Sequence, residues 1–259
     1  MSKLHGAFQK ARGHKAFIGF ISGGDPSLEK SEDFVLEMVG AGADIVEIGI
    51  PFSDPIAEGP VIQAANLRAL KAGSTPERIF CLVEKLRQQT QVPLVLLTYL
   101  NPVFQYGYER FFTRCRVLGV DGIIIPDLPF EEREEVRTVA DPYGVDLISL
   151  IAPTSAARIQ EIAADARGFL YVVSSLGVTG MRGKIETDLA ALLGAIGQVS
   201  TLPAAVGFGI NTPEQAAAIG KFADGVIVGS AIVKIIEDHG ADAGRYIYEY
   251  VRMMKEALI

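Results

Sequence analysis

The chain is poor in the residues that most directly announce a chemistry. Only two cysteines, Cys81 and Cys115, occur in 259 residues, both inside helical patterns. They form no CxxC pair, which argues against a disulfide framework or a thiolate zinc site and for reduced, packed thiols. The three histidines, His5, His14 and His239, stand away from strand ends, which leaves little support for a histidine triad or a histidine-rich metal site. Cations are outnumbered by acids, 24 to 31, and the formal net charge is −7. That balance argues against a duplex nucleic-acid binder, which needs a basic face to displace counterions. It leaves a small anionic ligand open, because backbone N–H groups bind phosphate without lysine or arginine. No apolar run approaches the ~18 residues of a membrane span, and MSKLHGAFQKARGHK lacks the apolar core of a signal peptide, so a soluble, cytoplasmic protein is expected. No GxSxG or P-loop pattern occurs, and no lysine stands late in a strand for Schiff-base chemistry.

What is present is regular alternation. Short apolar runs bounded by Gly, Pro or Asp occur at 16–21, 44–50, 93–99, 121–126, 145–151, 169–175, 203–208 and 224–229, as expected of parallel strands buried on both faces. Amphipathic segments lie between them. SLEKSEDFVLEMVGAG gathers Leu28, Phe34, Val35 and Met38 on one side, and Thr75-Pro76 and Thr212-Pro213 each supply an N-cap followed by proline at the first helical position. Eight strand–helix repeats in a chain near 250 residues predict a single-domain (β/α)8 TIM barrel over 1–259. An open doubly wound sheet alternates too, but SGGDP after the first strand is not its GxGxxG fingerprint. Segment 2–12 and YIYEYVRMMKEAL read as extra N- and C-terminal helices packed outside the barrel.

Barrel sites are built at the C-terminal ends of the strands. In DIVEIGI, side-chain alternation puts Ile45, Glu47 and Gly49 on one face and the branched Val46, Ile48 and Ile50 on the other. The branched face suits the helices, so Glu47 points into the barrel near its top. A carboxyl among apolar groups keeps its proton at neutral pH and suits a general acid. The following loop, PFSDPIAEGP, is stiffened by Pro51, Pro55 and Pro60 and carries Asp54 and Glu58. From the residues alone Asp54 is equally a turn former, and Glu58 equally a solvated loop acid. GFGINTPEQ (207–215) and VGSAIVK (228–234) place small residues before helix starts after the last two strands, where barrels often bind phosphate. SSLGVTGMRGKIET, after the sixth strand, suits a lid or a plain exposed loop.

FISGGDP (20–26), VEIGIPFSDPIAEGPVIQAA (46–65), GVDGIIIPDLPFEE (119–132), APTS (152–155), SSLGVTG (174–180), GFGI (207–210) and VGSAIVKIIE (228–237) together resemble the tryptophan synthase α subunit family over essentially the whole chain. The resemblance implies a lyase that cleaves indole-3-glycerol phosphate to indole and glyceraldehyde 3-phosphate, without a cofactor in this chain. It makes Glu47 the acid–base residue, Glu58 the carboxylate that stabilises charge at the ring N–H, and Tyr171 a neighbour of the reacting centre. Phosphate falls to Gly180, Gly209, Gly229 and Ser230, and Thr179 to the lid. Phe20, Leu97, Ile124, Phe208 and Ile227 line the indole pocket. It implies a pyridoxal-phosphate-dependent β subunit as partner in an α2β2 assembly, met by the loops around Asp54, by Asn101 and Pro102 within NPVF (101–104), and by 175–184. The family usually has Asp where this chain has Glu58, so the carboxylate sits one methylene further out. A weakly active subunit that mainly activates its partner, and another phosphosugar barrel, are the alternatives.

Overall fold

The computed structural model describes residues 2–11, 13–174, 182–207 and 209–259. Its strands are β1 (Ala16–Ser22), β2 (Ile45–Gly49), β3 (Leu94–Leu97), β4 (Gly122–Ile124), β5 in two segments (Asp146–Leu147 and Ser149–Ile151), β6 (Leu170–Val173), β7 (Ala204–Gly207) and β8 (Gly225–Val228). All pair in parallel, in the order β5–β4–β3–β2–β1–β8–β7–β6–β5. The sheet therefore closes through the interrupted fifth strand. At the break, the Ile148 N–H still donates to the Ile123 carbonyl at 2.9 Å and carries the ladder across. This is the barrel expected from the eight apolar runs.

The aspartates that bound those runs have a structural task. Asp44, Asp121 and Asp224 precede β2, β4 and β8, and each accepts a hydrogen bond from a backbone N–H of the neighbouring strand, at Phe17, Leu94 and Ala204 (2.7, 2.9 and 2.9 Å). They satisfy strand donors that would otherwise be orphaned where the ladder begins.

Strand parity sorts the core into two layers. Ile18, Ile45, Val95, Ile148 and Ala205 fill the interior, while Val46, Ile48 and Ile50 join the layer packed on the helices. That outer layer includes α2 (Leu28–Gly40) through Phe34, Val35 and Met38, and α4 (Pro76–Arg87) through Phe80 and Val83. The helix starts read from the sequence hold. Thr75 Oγ1 accepts from the Arg78 N–H at 3.3 Å, and Thr212 forms a reciprocal capping box with Gln215 at the start of α10 (Pro213–Gly220).

One terminal helix departs from the expected outside position. α1 (Lys3–Lys10) contributes Leu4 and Ala7 to the interior cluster, and Phe8 packs 5.6 Å from the Phe169 ring. A Cβ on Gly122, the first residue of β4, would lie 2.8 Å from Leu4 Cδ1. Helix α1 is thus a plug in the barrel floor, so the interior opens at the C-terminal end of the strands. The C-terminal helix α12 (Gly244–Glu256) does pack outside, against α2, and Lys255 ties it to Asp44 at 2.5 Å. The stretch 174–187, read as a lid or a plain exposed loop, is described only in part. Residues 175–181 lie outside the described residues, and 182–187 already belong to α9 (Arg182–Val199).

Candidate active site

The open end of the barrel leads into a cavity of about 630 Å³. Its walls are mostly apolar, with Phe20, Leu97, Leu150, Val173, Ile210 and Ile227 among them. Two carboxyl groups, Glu47 and Glu58, face into it.

Glu47 sits where strand alternation places it, level with Phe20 on β1 and Val95 on β3. It is 2% exposed, and its Oε2 has no hydrogen-bond partner among the described residues. Burial, reinforced by the nearby Glu58 carboxylate, pushes the Glu47 carboxyl up to about 8. At neutral pH it is a neutral acid holding a transferable proton.

Glu58 is built differently. It ends the loop between β2 and α3 (Pro60–Lys71), and Asn66 on α3 donates to its Oε2 at 2.6 Å. The buried Ser22 hydroxyl donates to Asn66 Oδ1 at 3.1 Å, which fixes the amide with its N–H group toward the carboxylate. Gln63 donates to the Glu58 carbonyl at 2.7 Å, and the Ala57 N–H donates to the Tyr99 hydroxyl at 3.1 Å. Burial raises the Glu58 carboxyl to about 6, held back by hydrogen bonds from Asn66 and Tyr99. One cavity thus holds a protonated and an ionised carboxyl together, a pairing suited to acid–base chemistry on an apolar molecule.

A family model described as "Tryptophan synthase alpha chain" matches residues 7–258. The tryptophan synthase alpha chain of Lactiplantibacillus plantarum is 54% identical over 248 residues, covering 95% of this chain and 94% of that protein. The crystal structure of tryptophan synthase subunit alpha from Legionella pneumophila superposes with a TM-score of 0.91 at 38% identity, covering 100% of this chain and 98% of the other. A chain of the tryptophan synthase complex from Pyrococcus furiosus gives 0.85 at 34% identity, over 93% of this chain and 98% of that one. The chain belongs to the tryptophan synthase alpha chain family.

In this alpha chain most of the expected site residues converge. Phe20, Leu97, Tyr171, Gly209, Ile227, Gly229 and Ser230 line the same cavity as the two acids. Phe20 packs against two glycines. A Cβ on Gly49 would stand 2.9 Å from its ring and one on Gly229 3.2 Å, so both neighbours must stay small. Gly209 takes a left-handed φ of 75°. Gly229 and Ser230 open α11 (Ser230–His239), whose first N–H groups have no intrahelical partner. Ile124 does not line the cavity: it is fully buried in the interior layer, and Pro126 and Leu150 take that side. Thr179, Gly180 and Phe208 lie outside the described residues.

Asp54 is exposed and accepts a hydrogen bond from the neighbouring Ser53 hydroxyl at 2.5 Å. Asn101 and Pro102 sit on α5 (Leu100–Tyr106), which precedes α6 (Tyr108–Leu118) and whose first N–H donates to Asp127 at 2.9 Å. The residues that sequence reading missed are supports: Ser22, Asn66 and Tyr99 around Glu58, and Gly207 under Tyr171. A buried asparagine on the core-facing side of a helix was the available signal for Asn66.

Tyr171 is 6% exposed, and burial together with the Glu47 charge raises its hydroxyl well above the usual range. It acts as a neutral phenol. A Cβ at Gly207 would fall 2.4 Å from its hydroxyl oxygen and 2.6 Å from its ring. Gly207→Ala is expected to displace the ring and lower kcat/KM by about 100-fold with the fold retained. Unchanged kinetics would show that Tyr171 does not need its present position.

Proposed function

We propose that this alpha chain cleaves indole-3-glycerol phosphate to indole and glyceraldehyde 3-phosphate, the retro-aldol step in making the indole for L-tryptophan. The observation that carries the reading is the pair of carboxyls, one neutral and one ionised, across an apolar cavity large enough for an indole ring.

Neutral Glu47 gives its proton to the indole ring carbon that bears the glycerol chain. The positive charge this creates at the ring N–H is met by ionised Glu58. Glu47, now a carboxylate, takes the proton of the side-chain hydroxyl. The carbon–carbon bond then breaks, its electrons restore the aromatic ring, and the hydroxyl-bearing carbon leaves as the aldehyde. Glu47 ends protonated, ready for another turn, and the step draws on no cofactor from this chain. Phe20, Leu97, Leu150 and Ile227 supply the apolar faces for the ring, and the N–H groups at Gly209, Gly229 and Ser230 receive the phosphate.

The partner is the tryptophan synthase β subunit, whose pyridoxal phosphate would carry the chemistry that consumes indole. Ile56 (78% exposed) and Phe104 (62% exposed) stand near Asp54, Asn101 and Pro102 as large apolar side chains without cover in the single chain, which fits burial against that partner in an α2β2 assembly.

Purified protein is expected to release indole from indole-3-glycerol phosphate, faster with a β subunit present. No release under either condition would sink the assignment. The two carboxyls also set a pH window. Below about 6 Glu58 takes a proton and loses its charge, and above about 8 Glu47 loses the proton it must donate. In the isolated chain kcat/KM is therefore expected to rise through an apparent pKa near 6 and fall through one near 8. A profile flat from pH ~5 to ~9 would contradict both assignments.

A further inference from the structure

A second, smaller cavity of about 260 Å³ adjoins the active site, with Pro126 and Leu150 as the shared wall. It lies between β5, the turn Phe130–Glu132, and the segment that leads into α8 (Ile159–Asp165). Its charged lining is Arg133 and Arg158, with no carboxylate, in a chain whose net charge is −7. The two guanidinium groups each stand 5.5 Å from the Phe130 ring.

Arg133 is the unusual member. It is 6% exposed, on α7 (Arg133–Ala140), and donates from Nη1 to the buried Ser149 hydroxyl at 2.8 Å. Its Nε and Nη2 are buried without a hydrogen-bond partner among the described residues. Asp165 approaches Nε to 3.4 Å, a charge contact without hydrogen-bond geometry. Arg158 is already engaged by Glu131 at 2.6 Å. Buried guanidinium donors left idle are costly, and a planar carboxylate matches their fork. Leu128, Ile125, Leu147 and Ile162 line the cavity's apolar side, and Ser149 and Ser155 add two hydroxyls. The volume equals about nine waters of liquid, room for a ligand of roughly ten heavy atoms.

We propose that this cavity is a second small-molecule site, separate from the catalytic one, which binds a small carboxylate with an apolar body, its head on Arg133 and its body against Phe130 and Leu128.

Phenylacetate, of that size and charge, serves as the probe in a calorimetric titration of the full chain. Binding with Kd on the order of 1 mM or tighter is expected, with phenylacetamide at least 10-fold weaker. Arg133→Met should weaken phenylacetate at least 10-fold, and saturating glycerol 3-phosphate, directed to the catalytic cavity, should not displace it. Arg133→Met risks destabilising α7, so Leu128→Trp, which fills the cavity from a loop, gives an independent arm: binding lost, indole release kept. Absence of binding to the wild-type chain, equal binding to Leu128→Trp, or displacement by glycerol 3-phosphate would each overturn the proposal.

Discussion

Glu47→Gln is expected to lower kcat/KM for indole-3-glycerol phosphate by on the order of 10³-fold, the typical worth of a positioned general acid. The amide keeps the shape and removes the transferable proton. It is also expected to stabilise the fold at alkaline pH. Between the ordinary carboxyl value of 4.5 and about 8, folded Glu47 holds a proton that the unfolded chain releases. The contribution is fully present below 4.5 and is lost as pH rises toward 8. At roughly 1.4 kcal/mol per pKa unit, the loss amounts to a few kcal/mol. Glu47→Gln should therefore match the wild type in Tm near pH 5 and exceed it near pH 8. Indole release together with thermal unfolding at both pH values reads both effects. An active variant, or one less stable than wild type at pH 8, would oppose this role for Glu47.

Glu58→Gln removes the charge that meets the developing cation and is expected to cost about 100-fold in kcat, with KM little changed. Glu58→Asp tests something finer. Read from the sequence, the extra methylene displaces the carboxylate from the family's usual position. In the fold, that length is what reaches Asn66 Nδ2 at 2.6 Å, on an amide already fixed by Ser22. Shortening the side chain retracts the carboxylate by roughly one bond length, and misplacement on that scale costs ~10²-fold. Glu58→Asp should thus lose activity. A variant equal to or better than wild type would mean that Glu58 is a weakened group which Asn66 does not rescue.

Much of this was legible in the sequence for definite reasons. Side chains of DIVEIGI alternate between two faces, and the branched Val46, Ile48 and Ile50 suit the helix layer, so the inward direction of Glu47 followed from parity and side-chain shape together. Capping residues marked the starts of α4 and α10 because their hydroxyls bond local backbone. What stayed hidden depends on contacts distant in sequence. Helix α1 shows an ordinary amphipathic pattern, and nothing local says that its apolar face meets the barrel floor. The break at Ile148 falls inside VDLISLI (145–151), where no Gly or Pro marks it. Asn66 became a functional support only once Ser22 and Glu58 were brought to it across 44 and 8 residues. Nothing local in FEEREEVR sets Arg133 apart from its charged neighbours, and only in the fold does it stand over the Phe130 ring and donate to Ser149.

Carboxyl-carbon NMR of the protein labelled with ¹³C at glutamate side chains, with Glu47→Gln and Glu58→Gln to assign the two signals, tests the opposed protonation states most directly. The Glu47 resonance is expected to titrate near 8 and that of Glu58 near 6, so that at pH 7 one is mainly neutral and the other mainly ionised. Both resonances titrating near the ordinary carboxyl value, with Glu47 already ionised at pH 7, would contradict the account.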